Sequence, residues 1–539
     1  MNKLFKRLLE KRGIYGDFLL PEYEKMANPM ILTGMKEAVE RIKLAVKKQE
    51  KVLIYGDYDV DGVTASVVMY DALKLAGAKD IEVMLPNRFE DGYGMSEKVI
   101  KKAKEGDFSL VVTVDCGSAN FEIIDKLAEI GVDTIVTDHH ECGNELPSAV
   151  AVVNPKREEN RGEFGDLAGV GVAFMVAKAL VLEGAIKDGQ EKWLLDLVII
   201  GTICDSMTMS LENRRLAYWG MKVIEKTRRK GLKELMNVAG VKKINSDAIG
   251  FQIGPRLNAA GRMASAEIAL KLLMTDSQTE AARLANELDQ LNLERKKQQQ
   301  QAVLEAENSE NLDESVIVVV GDWHEGILGI IAGKLVEKYQ RPVFALTEVK
   351  GVYKGSGRSF GEFNLAEALD NLSDVIISGG GHAGACGVKI EKDRLDDFKN
   401  EVNKFYKSLG LFEQERFLER EADLVLDDFS DLTMELYAEL RQLEPYGEGN
   451  LEPLWLLDDV LVTEAIKMGA DLQHLRLLVC DKNNKSLKLV AFYAPEKWLK
   501  VKQGDRVKIW ITLVENEWNG LKNIEGKIEK IGVEDFGDF

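Results

Sequence analysis

The sequence predicts an α/β protein in three parts. These are a parallel-sheet domain, a smaller α/β domain reached through a long helix, and a C-terminal β-barrel. Three observations predict it. From Lys51 onward, short continuous apolar runs alternate with helical patterns, as strands buried on both faces of a parallel sheet do. Residues 278–308 form a charged, helix-favouring stretch without Gly or Pro. After residue 450, several short strands follow at close spacing, the pattern of a small closed sheet.

The elements follow in order. "MNKLFKRLLEKRG" is a mixed, charged helix start with no apolar core, so residues 1–45 read as a helical segment and not as a secretory leader. Residues 46–275 form the first domain. In it "KVLIYG" is a strand, "GVTASVVMYDALKLAG" a helix, and "IEVMLP", "SLVVTVDCG" and "DTIVTDHH" further strands. "GVGVAFMVAKALVLEG" and "WLLDLVIIGTICDSM" are buried helices that close it. Residues 276–310 are the connecting helix, apolar on a narrow stripe only. Residues 311–440 hold strand "SVIVVVG", helix "GILGIIAGKLVEKY", strand "PVFALTE", the turn-rich "GVYKGSGRSFG" and the strand-like "VIISG" before a glycine run. Residues 441–539 carry "LWLLDDVLVTEA", "HLRLLV", "SLKLVAFY", "RVKIWITLVE" and "NIEGKIEKI", a small barrel such as an OB-fold.

Composition narrows the function. The chain has 539 residues and a net charge of −19, which argues against coating nucleic acid by bulk charge. A local basic groove or bound metal ions remain open. No run of eighteen apolar residues predicts a membrane span. The five cysteines show no CxxC or paired spacing, which fits a reducing cytoplasm.

The chemistry concentrates at strand ends. "YGDYDVDGVTA" puts Asp57, Asp59 and Asp61 at alternate positions just past the first strand. Asp115 in "VTVDCGSAN" and Asp138-His139-His140 in "IVTDHHECG" hold the same position on two later strands. Asp205 follows an apolar helix in "GTICDSM". Sites in open α/β sheets lie beyond the carboxyl ends of the strands. Oxygen ligands with a minority of imidazole suit Mn²⁺ or Mg²⁺. The acids are too many for one ion and suit two. A calcium loop is excluded, since the twelfth position from Asp57 is Val68 and not Glu.

"DYDVDG", "VDCG", "TDHHE" and "CDSM" resemble the four motifs of the DHH phosphoesterase superfamily. Their order and the rest of the chain resemble its RecJ family, 5′→3′ exonucleases specific for single-stranded DNA. The resemblance implies a DHH domain, a DHHA1 domain and an OB-fold, with two divalent ions, Mn²⁺ or Mg²⁺, as cofactor. It implies Asp57, Asp59, Asp61, Asp115, His139 and Asp205 as ligands, with Asp115 bridging. His140 is then the group on the scissile phosphate, and Asp138 the residue that aims the imidazoles.

The second domain resembles the DHHA1 substrate half. "GGGHAGACG" offers backbone N–H groups to an anion, around Gly380, Gly381 and His382. "GSGRS" resembles its partner loop, with Ser356, Arg358 and Ser359; Arg358 suits phosphate by its planar fork. "GDWHEGILGIIAGKL" places His324 before a helix, where it serves either the substrate or the helix end. "GPRLNAAGRM" supplies Arg256, Asn258 and Arg262 as strand contacts by resemblance, or as a salt-bridged turn. "NRFEDGYG" supplies Arg88, Phe89 and Tyr93, a cation beside aromatics that fits a phosphate and a base.

In the last region Lys and Arg interleave with Trp498, Trp510, Trp518, Phe492 and Tyr493, which fits single-strand binding by stacking and charge, although core packing claims some of these rings. Taken together, the expectation is a monomeric, cytoplasmic exonuclease acting from the 5′ end of single-stranded DNA in repair and recombination. Single-strand binding protein and a RecQ-type helicase are partners by resemblance. Two rivals stand beside it: an oligonucleotide or cyclic-dinucleotide phosphodiesterase, which matches only the first two domains, and a catalytically dead binding protein, against which every motif carboxylate is present.

Overall fold

The computed structural model describes residues 1–92, 94–143, 145–160, 162, 164–209, 211–309, 312–411, 420–469, 471–518 and 520–532. The chain divides into two compact units. One comprises Asn28–Asp205 and Lys222–Glu419; the other joins Met1–Ala27, Ser206–Met221 and Arg420–Phe539.

The larger unit is built on two sheets. In the first, β1 (Val52–Tyr55), β2 (Ile81–Met84), β3 (Leu110–Val114), β4 (Asp133–Thr137) and β5 (Ala151–Val153) lie in the order β2-β1-β3-β4-β5. Every pairing is parallel. β1, β3 and β4 are buried almost throughout, as their apolar runs require. The order reverses between β1 and β3, and a crevice at the carboxyl edge opens at such a reversal. The Val60–Leu75, Gly169–Leu182 and Leu195–Cys204 helices are sealed nearly all round, so they read as apolar without an amphipathic stripe.

The connecting helix runs from Gln278 to Ala306, N-capped by Ser277, and buries a stripe that includes Ala281, Leu284, Ala285 and Leu288. Beyond it β6 (Ile317–Val320), β7 (Val343–Val349), β8 (Val352–Arg358), β9 (Ser378–His382) and β10 (Ala385–Glu391) form a second sheet, in the order β6-β7-β8-β10-β9. Only β6 and β7 pair in parallel.

Three local readings change here. "GVYKGSGRS" is not a turn: its first seven residues past Gly351 form β8. Gly355 sits in that strand because a Cβ there would meet the Leu346 side chain at 2.0 Å. The strand of the glycine run is the run itself, since β9 begins at Ser378 and "VII" lies before it. "GPRLNAAGRM" is a helix, Gly254–Met263, with Pro255 in its first turn, where a missing N–H costs nothing.

In the smaller unit β11 (Leu424–Val425), β12 (Trp455–Met468), β13 (His474–Cys480), β14 (Ser486–Ala491), β15 (Arg506–Trp518) and β16 (Leu521–Gly532) form one sheet. The added β12–β15 pairing closes five of them into a barrel. Its core is Trp455, Leu457, Leu477, Leu489, Ile509 and Ile511. The Lys3–Arg12 helix adds Leu4, Phe5 and Leu8 to the same core. Arg214 is fully buried in this unit, with no carboxylate partner among the described residues, and donates to the carbonyls of Phe18, Gln442 and Leu443. Among the described residues no helix is long and apolar enough to cross a membrane.

Candidate active site

The acids and imidazoles converge at the β1/β3 reversal. Asp57 follows β1, and Asp59 N-caps the Val60–Leu75 helix by accepting from the Gly62 N–H at 3.0 Å. Asp61 lies in that helix's first turn. Both of its oxygens accept from the first N–H groups of the Gly169–Leu182 helix, Gly169 at 2.6 Å and Val170 at 2.9 Å. A helix N-terminus favours a carboxylate in that position. Asp115 ends β3 in the left-handed region, φ 59°, a conformation that β-carbon sterics disfavour and that functional sites retain. Asp205 ends the Leu195–Cys204 helix.

Distances define one cluster. His139 Nε2 lies 3.0 Å from Asp115 Oδ1, 3.5 Å from Asp205 Oδ2 and 3.8 Å from Asp61 Oδ2. Asp57, Asp59 and Asp115 form a second group whose oxygens lie within 4.8 Å of one another, and Asp115 with His139 and His140 a third. Asp115 thus belongs to two groupings. Glycine permits the approach of the surrounding helices: a Cβ on Gly169 would meet Asp115 at 2.6 Å, and one on Gly201 would meet Asp61 Oδ1 at 2.5 Å.

The electrostatics call for a cation. Burial, then the Asp59 charge, push Asp57 up to about 8. The same two causes raise Asp205 to about 7. Asp61 and Asp115 are held well above the ordinary carboxylate range by burial and neighbouring acids. Burial lowers His139 to about 3, leaving the neutral ring that ligates metal. Among the described residues, Asp57 Oδ1 and Asp115 Oδ1 are buried and have no hydrogen-bond donor. Buried, mutually repelling oxygens with one neutral imidazole fit a hard divalent ion.

Asp138 stands apart from that cluster. Its Oδ1 lies 2.8 Å from His140 Nδ1 and accepts from the His139 N–H at 2.7 Å; its Oδ2 accepts from the Ser118 N–H. Its side chain meets the His140 ring directly and reaches His139 through the backbone N–H. Burial opposes its ionisation, yet the His140 ring and the Ser118 N–H outweigh this and lower it. Burial lowers His140, but Asp138 outweighs that too, and its pKa is raised.

Facing the acids is a group of guanidinium side chains. Arg88 lies over the Tyr58 ring at 5.2 Å, and its charge reaches Asp57. Arg262 is lowered to about 9 by burial, then by Arg88, Arg295 and Arg358. Arg262 donates to the Gly326 carbonyl at 3.3 Å, and Arg358 to Ser356 Oγ at 3.1 Å. His382 is lowered by burial, then by Arg358 and His140, so it faces the same space. Gly380 and Gly381 lie on β9, the exposed edge of the second sheet, where alternate N–H groups point away from the ladder.

Other predicted residues are engaged locally. Arg256 pairs with Asp289 of the connecting helix at 2.8 Å, and Asn258 is half-buried on the Gly254–Met263 helix. His324 caps the turn before the Leu328–Tyr339 helix by accepting from the Gly326 N–H, and its ring meets Phe89 edge-on at 5.3 Å. The Ser359 hydroxyl donates to the Phe363 carbonyl. Tyr93 lies outside the described residues.

Sequence reasoning missed three residues. Asn154, fully buried, donates to Ser118 Oγ and to the His140 carbonyl, both at 2.9 Å. Its place directly after β5, on the same sheet edge, was the clue. Lys156, two residues on, lends charge to Asp205 and His382. Arg295 sits within the connecting helix, whose charged composition hid it.

Fold and site together define a DHH-type phosphoesterase. The DHH family, N-terminal domain, matches residues 51–202, the DHHA1 domain residues 313–408 and the RecJ OB domain residues 423–530. The chain belongs to the RecJ family. It is 38% identical over 546 residues to the single-stranded-DNA-specific exonuclease RecJ of Bacillus subtilis, covering 99% of this chain and 68% of that protein. It is 34% identical to the Escherichia coli protein of the same name, covering 88% and 86%. RecJ of Thermus thermophilus in complex with Mn²⁺ superposes with a TM-score of 0.85 at 28% identity, covering 99% of this chain and 76% of that one. The Mg²⁺ complex of that protein gives 0.80 at 26%, covering 99% and 75%.

Proposed function

We propose that this chain is a two-metal exonuclease that degrades single-stranded DNA from the 5′ end to 5′-mononucleotides, in DNA repair and recombination. One observation carries it: a buried acid cluster that needs cations faces, across the same cleft, a set of guanidiniums that needs an anion. A phosphodiester supplies the anion.

Asp57, Asp59, Asp61, Asp115, His139 and Asp205 would hold two divalent ions, with Asp115 shared. Bound there, the ions would lower the pKa of a water nucleophile and neutralise charge on the phosphate. The chain's own residues do the rest. Asp61 is fixed by two backbone N–H groups and His139 is neutral, so the ligand set is rigid before any ion enters. His140, its pKa raised by Asp138, donates to a phosphate oxygen and holds the scissile bond. Arg358 and Ser356, with Arg88, take the terminal 5′-phosphate, which sets polarity and register. Arg262, His382 and the β9 edge N–H groups guide the backbone.

A barrel with exposed Phe492 and Tyr493 completes the reading, since base stacking is sequence-tolerant. The protein acts as a cytoplasmic monomer, handed its substrate by a RecQ-type helicase and single-strand binding protein. Asp115→Ala tests the assignment: hydrolysis disappears while single-strand binding persists. Unchanged hydrolysis would remove the two-ion reading.

A further inference from the structure

A second cavity, of about 560 Å³, opens at the far ends of the helices that carry the site's acids. Tyr70, Asp71 and Lys74 come from the end of the Val60–Leu75 helix whose beginning bears Asp61. Asp196 comes from the start of the Leu195–Cys204 helix, which ends at Asp205. Nine residues separate Asp61 from Tyr70, roughly 14 Å of helix, so this cavity and the metal cluster are distinct.

On its floor two carboxylates share one guanidinium. Arg229 donates to Asp71 at 2.7 Å and to Asp196 at 3.3 Å, and Thr227 Oγ1 donates to Asp196 at 2.6 Å. On its rim Arg228 is exposed, and its guanidinium carbon lies 3.5 Å from the centroid of the Trp193 ring. Lys74 lies over Tyr70 at 5.7 Å. Among the described residues neither cation has a carboxylate partner. Leu194, Leu273 and Met274 give the cavity an apolar wall.

We propose that this cavity binds a nucleoside monophosphate, the class of molecule the proposed reaction releases. A guanidinium held over an indole still offers N–H groups to a phosphate, and a guanidinium plane is a surface on which a base stacks. Lys74 supplies a second point charge to the phosphate. The apolar wall takes the rest of the base, and the volume is that of small-molecule sites. Binding here requires neither the metal cluster nor strand cleavage.

Calorimetry on the whole protein in EDTA tests this, with dAMP, adenosine and inorganic phosphate as separate titrants. dAMP is expected to bind more tightly than either fragment. Arg228→Ala is expected to weaken it by about tenfold or more, the loss of a charge-assisted contact to phosphate, and Lys74→Gln to weaken it in the same direction. Arg358→Ala, which alters the other phosphate site, keeps the binding. Single-strand cleavage without added nucleotide stays at the wild-type rate in Arg228→Ala, which also shows that the variant folds. The proposal is overturned if both rim variants bind dAMP as the wild type does, if Arg358→Ala alone abolishes the heat, or if phosphate binds as tightly as dAMP.

Discussion

Asp138 and His140, two residues apart, meet side chain to side chain at 2.8 Å, with Asp138 also accepting from the backbone N–H of both histidines. An ionised carboxylate only accepts, so the His140 Nδ1 carries the proton in this contact. Asp138→Asn keeps the shape and removes the charge that raises the pKa of this imidazole. The expected result is a fall in kcat of roughly 10–100-fold, the usual cost of losing a residue that orients a site imidazole, with Mn²⁺ affinity changed far less. A variant of wild-type kcat would show that His140 needs no such partner.

Stability without metal should depend on pH in a stated direction. Asp57 and Asp205 titrate near 8 and 7 in the fold, against 3.8 for the unconstrained side chain. Between pH 4 and 8 the folded chain therefore holds more protons than the unfolded one, and stability falls as pH rises through that window. The melting temperature in EDTA is expected to drop from pH 5 to pH 8. Added Mn²⁺ should raise it more at pH 8 than at pH 5, because ionised ligands bind it. A metal-free melting temperature that rises with pH would contradict this account of the cluster.

Arg358 donates to Ser356 and faces Arg88 and Arg262, with no carboxylate partner among the described residues. Arg358→Ala is expected to raise KM for 5′-phosphorylated single strands by about 10–100-fold, as a charged hydrogen bond to phosphate is worth ~1.5–3 kcal/mol. The preference for a 5′-phosphate over a 5′-hydroxyl should disappear with it. An unchanged preference would move terminal-phosphate capture elsewhere.

On the barrel, Phe492 and Tyr493 are 63% and 78% exposed, and His474 accepts from the Tyr493 N–H at 3.0 Å. Several cations of this region are paired: Arg476 with Glu464, Lys488 with Glu525, Arg506 with Asp459. Phe492→Ala with Tyr493→Ala is expected to weaken single-strand binding by ~1–3 kcal/mol per lost stack, measured by fluorescence anisotropy, with cleavage of dinucleotides unaffected.

The first sheet and its acids were legible because buried parallel strands are nearly continuous apolar runs, and acids directly after such runs have one place to go. Asp57, Asp115 and His139 follow from that rule alone. The second sheet was harder to read. Gly355 and the glycines of β9 look like turn residues, yet they sit in strands where side chains from neighbours, or the edge position, leave no need of a Cβ. Asn154 and Arg295 stayed hidden because each acts at a distance in sequence, Asn154 on the His140 carbonyl and Arg295 on Arg262. Periodicity carries no information about such partners. The split of the N-terminal segment after Ala27 was equally silent, since an amphipathic helix does not say which core it joins.

In the proposed function, one site captures a 5′-phosphate and cuts beside it. The most direct measurement labels a single-stranded DNA at each end in turn and follows the products over time with Mn²⁺. The account predicts that 5′-label appears at once as mononucleotide while 3′-label shortens stepwise. Immediate release of the 3′-label as mononucleotide would contradict it.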